Sequence, residues 1–295
     1  MIIDFINYAI NGALLGLLYA LIAMGFVVIY RASKVFNFAQ GELVVLGGFL
    51  IWWIVVNMGL PMTIGIPVAF VAAALVGLAI ERIFFSRLVG ESVFAMVMVT
   101  IGLLVLLRGV VLLAFGPQVR PFPIVIPLQP VIIGDMLIPT NLLVGGVVTA
   151  IAAFGMSWFF NRTRTGLKMT AVAEDHQVAM ALGISVKRSI AFAWVLGCLL
   201  STLGAVIFLT GKSLSFLASD IGFAALPVAL LAWLESIGGL LLAGIIVGVI
   251  QGLATAYLDP LVGGAVGSVL PFVIMLLILL VKPTGLFGWR TIERV

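Results

Sequence analysis

The residues of this chain that could do chemistry are a few polar side chains placed within or beside long apolar runs. As candidates for lining a pathway we identify Asn37, Gln40, Glu42, Arg108 and Glu235. Ionisable groups at membrane depth cost free energy and are typical of solute or ion pathways. Their chemistry would be noncovalent: amides and carboxylates can bind a polar solute, a carboxylate can carry a proton, and a guanidinium can bind an anion.

Each of these residues also has a structural interpretation. Asn37, Gln40 and Glu42 either line a cavity beside an interrupted helix or form a turn at the membrane interface. Arg108 lies about seven residues, roughly 10 Å, from the end of its apolar run. It can therefore snorkel to the surface, form an internal ion pair or contact an anionic solute. Glu235 follows a short apolar run and suits a solvated position at an inner mouth.

Motifs for catalysis or nucleotide binding are scarce in this sequence. His176, the one histidine, stands beside Glu174 and Asp175, which indicates a solvated surface. Cys198, the one cysteine, lies in an apolar run and is interpreted as a buried thiol. No glycine-rich phosphate loop ends in Gly-Lys-Ser or Gly-Lys-Thr. We therefore expect a chain that is not an enzyme and that binds no metal or cofactor itself.

Composition predicts the fold class. The sequence is 64% hydrophobic and 9% charged, with a mean hydropathy of +1.36. Apolar runs of roughly 20 residues, the length needed to cross about 30 Å of hydrocarbon, predict an all-α polytopic membrane protein. The net charge of +4 comes from basic residues in short loops, which indicates topology and not nucleic-acid binding. The first run has no basic leader or cleavage site, so we expect a retained span.

The apolar runs predict eight or nine crossings in a single domain, with short or broken helices. Spans are expected at residues 5–29, 43–56, 62–80, 94–115, 142–160, 189–210, 240–257 and 261–281. The segment at 224–239 is either one more span that ends in a tight turn, or part of a broken helix that enters and turns back. Basic residues predict a cytoplasmic C-terminus, and nine crossings would place the N-terminus outside.

Glycines recur at intervals of four residues in two of these spans. Gly12 and Gly16 share one helix face, and Gly244, Gly248 and Gly252 share another. Such faces let helices approach closely. The pattern indicates either tight packing or a surface along which helices shift.

The longest polar interruption is the loop at residues 161–188, in which five of seven charged residues are basic. This excess predicts a cytoplasmic location. Asp175 as N-cap and Gly183 beyond the C-terminus predict a helix of about two turns at 176–182. Its small and apolar side chains would let it press into a groove on a partner. A short helix at the membrane surface explains the same residues.

Three stretches of this sequence resemble one known family. They are NGALLGLLYALIAMGFVVIYRASKVFNFAQGE, RTRTGLKMTAVAEDHQVAMALGISVKRSIAFAW and VKPTGLFG. They resemble the permeases of branched-chain amino acid ABC transporters, most closely the LivH-type subunit, and the resemblance extends along almost the whole chain. It implies an ABC importer permease fold and a bacterial inner-membrane location.

The resemblance implies partners and a cargo. The partners are a second, LivM-like permease subunit, two cytoplasmic ABC ATPase subunits that bring ATP and Mg, and an extracytoplasmic solute-binding protein. The cargo would be leucine, isoleucine or valine, with an amide or a small organic acid as variants. A coupling helix at 174–183 would dock on the ATPase. The coupling residues implied are Glu174, Asp175, Gln177, Val178, Ala179, Leu182 and Gly183.

The sequence departs from the family pattern in two places. Gln177 and Val178 stand where the family usually has Glu and Ala, which removes one charged contact with the ATPase. The stretch LAWLESIGG carries Trp233 and Glu235 where a glycine-rich turn is usual, and this bears on the pore or the solute preference.

A self-sufficient secondary transporter or channel is the alternative. It would need intramembrane carboxylates for ion coupling, and Glu42 and Glu235 are the candidates. Uptake by the reconstituted chain alone would favour it over the importer subunit.

Overall fold

The computed structural model describes residues 2–88, 90–234 and 236–286. The predicted site residue Glu235 and the basic residues at 290 and 294 lie outside the described part. The helices, in chain order, are α1 (Ile2–Ser33), α2 (Gln40–Trp52), α3 (Met62–Ile83), α4 (Val93–Phe115), α5 (Thr140–Arg162), α6 (Arg164–Glu174), α7 (His176–Ala181), α8 (Val186–Leu209), α9 (Asp220–Leu231), α10 (Ile237–Tyr257), α11 (Asp259–Val262) and α12 (Val266–Val281).

The fold class predicted from composition is confirmed. Seven described helices are long and apolar enough to cross a membrane: α1, α3, α4, α5, α8, α10, and α2 as extended by the π-helix Trp53–Asn57. Two shorter apolar segments, Phe216–Leu231 and Val266–Val281, add to them. The first of these is a 3-10 turn (Phe216–Ser219) that leads directly into α9.

The bundle has two distinct ends. We call the end that carries α6 and α7 the loop end. The end of α1 reaches it, since Lys34 pairs with Glu174. The opposite, hairpin end carries two small antiparallel sheets: β1 (Arg120–Pro121) with β4 (Ser213–Leu214), and β2 (Val131–Ile133) with β3 (Met136–Ile138). These strands lie in or beside the proline-rich loop, for which the sequence predicted no strands.

Among the described residues, nine helical segments connect the two ends. The start of α1 lies at the hairpin end, where Asn11 donates to the carbonyl of Leu137 in β3. Residues 282–286 lie at the loop end, where the amide of Leu286 donates to the carbonyl of Leu231. The first and last described residues therefore lie on opposite faces of the bundle, which favours nine crossings over eight.

Helix α1 is the central element, and residues 18–29 are all buried. It packs most extensively against α10, and the two helices run antiparallel because Gly12 meets Gly248 while Gly16 meets Gly244. A Cβ added at Gly12 would lie 2.5 Å from the carbonyl oxygen of Gly248, so only glycine allows this approach. The tight packing predicted from the spacing is confirmed.

The ambiguous segment at 224–239 contains the end of one helix and the start of the next. Helix α9 ends at Leu231 and α10 begins at Ile237, with Trp233 in the left-handed region at φ +60. The chain therefore reaches the loop end through α9 and returns through α10. The break is elsewhere: residues 210–219 enter the bundle from the hairpin end as non-helical chain and a 3-10 turn before α9 starts.

Candidate functional site

The first interruption in the bundle is residues 34–39, the non-helical chain between α1 and α2. Lys34 opens it with a left-handed backbone, φ +53. The hydroxyl of Thr100 in α4 lies 3.1 Å from the carbonyl oxygen of Phe36 and accepts from the amide of Phe38 at 3.4 Å. Non-helical backbone at membrane depth requires such partners within the protein. The hydrogen bonds to Thr100 therefore stabilise the non-helical chain at residues 34–39.

Asn37 and Gln40 hold the start of α2 in place, and both are fully buried. Asn37 Oδ1 accepts from the amide of Ala39 at 3.1 Å, and its Nδ2 donates to Gln40 Oε1 at 3.3 Å. Gln40 Nε2 lies 3.2 Å from the carbonyl oxygen of Ile22 in α1 and 2.9 Å from Ser201 Oγ in α8. These two predicted lining residues therefore connect helices, and neither lines the cavity described below.

The start of α2 lies deep in the bundle. Gln40 contacts Ile22, which precedes Ser33 at the loop end of α1 by three helical turns, about 16 Å. Helix α9 begins at the same depth, because a Cβ built on Gly222 would lie 2.5 Å from the Cα of Gly41. Two broken helices thus begin side by side near the middle of the bundle.

An ion pair between the buried Glu42 and the partly exposed Arg108 joins these two helix starts to α4. Glu42 Oε1 accepts from Arg108 Nε at 2.9 Å and lies 2.7 Å from Nη2, and Nη2 also donates to Ser219 Oγ at 3.0 Å. Glu42 is in the first turn of α2, where the helix dipole favours a negative charge. Of the interpretations open for Arg108, the geometry is that of the internal ion pair. Glu42 lies in the interior and not in an interfacial turn.

The ion pair borders a cavity with about 270 Å³ of empty space. Glu42 and Ser219 are its polar lining side chains, with Gly41 and Gly222 at the helix contact. The remaining lining is apolar: Phe26, Phe36, Phe38, Phe223, Leu104 and Leu226. Phe36 stacks on Phe26 and meets Phe38 edge-on, each with ring centroids 4.9 Å apart. The arrangement suits a small solute with an apolar part and one charged or hydrogen-bonding group.

This phenylalanine wall was not among the site residues predicted from the sequence. Phe36 and Phe38 alternate with Asn37 immediately before Gln40, so their nearness to the polar cluster was a usable signal. Phe223 and Leu226 are far away in sequence and come into the site only because α9 starts beside α2.

The second candidate site is α7, at the loop end. Asp175 Oδ1 accepts from the amides of Gln177 and Val178 at 2.7 and 3.0 Å, which is the predicted N-cap. At the other end Gly183 has φ +75. The amide of Gly183 donates to the carbonyl of Met180, and that of Ile184 donates to the carbonyl of Ala179, each at 3.0 Å, which forms a Schellman motif.

The surface of α7 is apolar. Val178, Met180 and Leu182 are exposed, Leu182 by 73%. Ala179 is only 1% exposed, so it packs inward and holds α7 on the protein, where the sequence placed it on the docking face. Exposed apolar side chains on a short helix next to charged residues are typical of a protein–protein contact. Met180 is the exposed residue that the sequence analysis missed.

Glu174 links this helix to the interruption after α1. Its Oε1 lies 3.4 Å from Lys34 Nζ. Glu174, Asp175 and Gln177 also line an open cleft with about 800 Å³ of empty space, together with Lys34 and Glu91. The structure therefore places the predicted coupling residues other than the inward-packed Ala179 at the loop end, and Glu174 connects them to the chain that leads to the cavity.

Comparison with known proteins gives one consistent family. The family described as "Branched-chain amino acid transport system / permease component" matches residues 8–279. The chain is 28% identical to the high-affinity branched-chain amino acid transport permease BraD of Pseudomonas aeruginosa, over 100% of this chain and 99% of the relative. It is 30% identical to LivH of Escherichia coli K12, over 99% and 98% respectively. A probable LivH of Methanocaldococcus jannaschii is 26% identical over 94% and 91%.

The family match covers almost the whole chain, and the relatives align over nearly their full lengths. The resemblance inferred from the three sequence stretches is therefore confirmed. The multi-pass helical fold, with apolar helices that can span a membrane, agrees with it. The chain belongs to the branched-chain amino acid transport system permease family.

Proposed function

We propose that this protein is the membrane-spanning permease subunit of an ATP-driven ABC importer for branched-chain or other hydrophobic amino acids and related small solutes. Two relatives that align along its whole length are named as permeases for branched-chain amino acid transport. The cavity at mid-depth supports such a cargo, since it offers phenyl rings beside a carboxylate paired with a guanidinium. We assign Glu42 and Arg108 to the wall of the pathway, and Asn37 and Gln40 to its scaffold.

The cavity is narrow in this conformation and admits about one water molecule. The starts of α2 and α9 contact each other through Gly41 and Gly222, and Arg108 bonds to groups on both. Passage of an amino acid therefore requires these two helix starts to separate. We therefore assign this conformation to a closed state of the proposed alternating-access cycle.

The proposed coupling role is inferred from the capped helix α7 and its exposed apolar side chains. We propose that residues 174–183 dock on an ATPase subunit through Val178, Met180 and Leu182. Gly183 leaves open space beside the helix, because a Cβ built there meets no atom within 4 Å. The open cleft lined by Glu174, Asp175 and Gln177 can receive a polar group from the partner.

A continuous set of contacts connects α7 to the pathway. Glu174 precedes the N-cap of α7 and pairs with Lys34, which begins the chain that carries Phe36 and Phe38 into the cavity wall. A displacement of α7 by the ATPase would therefore displace one side of the cavity. Coupling requires such a two-state element between the sites.

The proposed assembly follows from this role. This chain pairs with a second, LivM-like permease, and two ATPase subunits that bind ATP and Mg sit at the loop end. A solute-binding protein docks at the hairpin end. The chain itself is non-catalytic and lies in the bacterial inner membrane, with its loop end and C-terminus in the cytoplasm. The basic residues of the 161–188 loop support this orientation.

The experiment is uptake of radiolabelled leucine by proteoliposomes that contain the complete transporter, with ATP on the ATPase side. We expect Leu182→Asp to insert normally but to lose most ATP-dependent uptake, because a carboxylate would be desolvated in the docking groove. Leu167→Asp is the matched control, since Leu167 is an exposed apolar residue on the neighbouring helix α6. ATP-independent uptake by this chain alone would overturn the proposal and favour a secondary transporter.

A further inference from the structure

One buried acceptor in the pathway is left without a partner. Glu42 is 2% exposed, and its Oε1 atom is used by Arg108, but its Oε2 atom accepts no hydrogen bond. Glu42 is also a lining residue of the phenylalanine cavity. A buried carboxylate oxygen without a donor is costly, so this atom favours any ligand group that can donate to it.

The surroundings restrict which donor fits. The other lining groups of the cavity are phenyl rings, two leucine side chains, a serine hydroxyl and backbone at Gly41 and Gly222. Ring faces attract cations and also pack against apolar groups. A carboxylate-only solute has no donor for Glu42 Oε2 and is repelled by its charge. An ammonium group attached to an apolar side chain satisfies both the oxygen and the rings.

We propose that Glu42 Oε2 is the binding site for the α-ammonium group of the transported amino acid, while Phe26, Phe36 and Phe38 contact its apolar side chain. This inference rests on the proposed function and assigns the ligand chemistry of the same cavity. Arg108 stands next to the site, where it holds Glu42 Oε1 and leaves Oε2 for the ammonium group. The site selects amino acids against organic acids of the same shape.

Competition for leucine binding tests the ligand chemistry directly. The assembled transporter in nanodiscs, without the solute-binding protein, is equilibrated with radiolabelled leucine. Competitors are 3-methylbutylamine, which keeps the ammonium, and 4-methylpentanoate, which keeps the carboxylate. We expect the amine to compete and the acid to compete at least about tenfold less, since a charged hydrogen bond is gained by one and lost by the other. Equal competition by the acid would overturn the assignment.

Glu42→Gln tests the residue. The substitution keeps the size and removes the charge, and we expect leucine uptake by the complete transporter to fall by about tenfold or more. Glu81→Gln is the matched control: Glu81 is also buried with an oxygen that has no partner, but it lies on α3 and does not line the cavity. We expect that variant to take up leucine at the wild-type rate.

The double variant Glu42→Gln/Arg108→Gln separates ammonium binding from a merely structural ion pair. If the pair only stabilises the fold, neutralising both charges restores uptake, because no unpaired charge is left. If Glu42 binds the ammonium group, the double variant remains at least as defective as Glu42→Gln. Restored uptake, or normal uptake by Glu42→Gln, refutes this inference alone. Failure of the wild-type complex to take up leucine refutes the proposed function instead.

Discussion

The N-cap of α7 provides a sharp test of the docking role. Asp175→Ala removes the carboxylate that accepts from the amides of Gln177 and Val178. Such a loss costs a helix about 1 kcal/mol. Helix α7 has six residues, and a helix of that length is marginal on its own. Docking would then have to re-form the helix, so the affinity for the ATPase should fall up to about fivefold.

The affinity is measured by titration of the purified ATPase subunit onto the permease in nanodiscs. Uptake is measured separately in proteoliposomes, at limiting and at saturating amounts of the ATPase. We expect Asp175→Ala to require several times more ATPase for half-maximal uptake and to recover at saturation. Asp175→Asn is the control, because asparagine caps a helix as well as aspartate does. Unchanged affinity in Asp175→Ala would refute the reasoning. An equal defect in both variants would show that the charge matters and the cap does not.

Two further predictions concern packing. Gly16→Ala should lower the free energy of unfolding by about 1–3 kcal/mol, because the added Cβ would overlap the backbone of Gly244 in α10. Gly102→Ala meets only open space and should change the free energy of unfolding by less than about 1 kcal/mol. Fluorescence-detected size-exclusion chromatography after heating compares the melting of the two variants, and equal melting would contradict the packing. Cys198 is 3% exposed and should resist N-ethylmaleimide in the folded protein but react after unfolding in SDS, as intact mass would report; labelling of the folded chain would argue against its burial.

The sequence predicts well those features that depend on local physics. Span positions follow from hydropathy, because each helix must satisfy its own backbone within lipid. The ends of α7 follow from Asp175 and Gly183, whose side-chain and backbone preferences act within a few residues. The close approach of other helices to α1 and to α10 follows from glycine spacing, although the spacing does not say that these two faces meet each other.

Helix α6 shows a local signal that was overlooked. Thr163 accepts from the amide of Gly166, and Met169 and Val172 are buried three residues apart. A threonine cap followed by apolar residues at that interval predicts an amphipathic helix. The basic residues of the same segment also fit a solvated loop, so composition alone does not reveal this helix.

The partner of Arg108 could not be predicted, because it depends on topology. Arg108 lies near enough to a membrane surface to snorkel, and a single helix would favour that solution. In the bundle, α2 starts at mid-depth and places Glu42 within 2.7 Å of the guanidinium, although 66 residues separate the two in sequence. Burial of the Glu42 charge is tolerated because Arg108 pairs with its Oε1, while Arg108 is partly exposed and donates a further N–H to Ser219.

The unpaired Oε2 oxygen of Glu42 is not explained by the stability of the fold. Stability alone is best served when every buried polar atom is paired, or when an ion pair is replaced by apolar residues. Oε1 of Glu42 is paired with Arg108 and Oε2 has no partner, although Glu42 lines the cavity beside the contact of α2 with α9. A carboxylate kept only for its ion pair gains nothing from a second, unpaired oxygen beside the cavity. One kept for a passing ammonium group uses that oxygen as the acceptor.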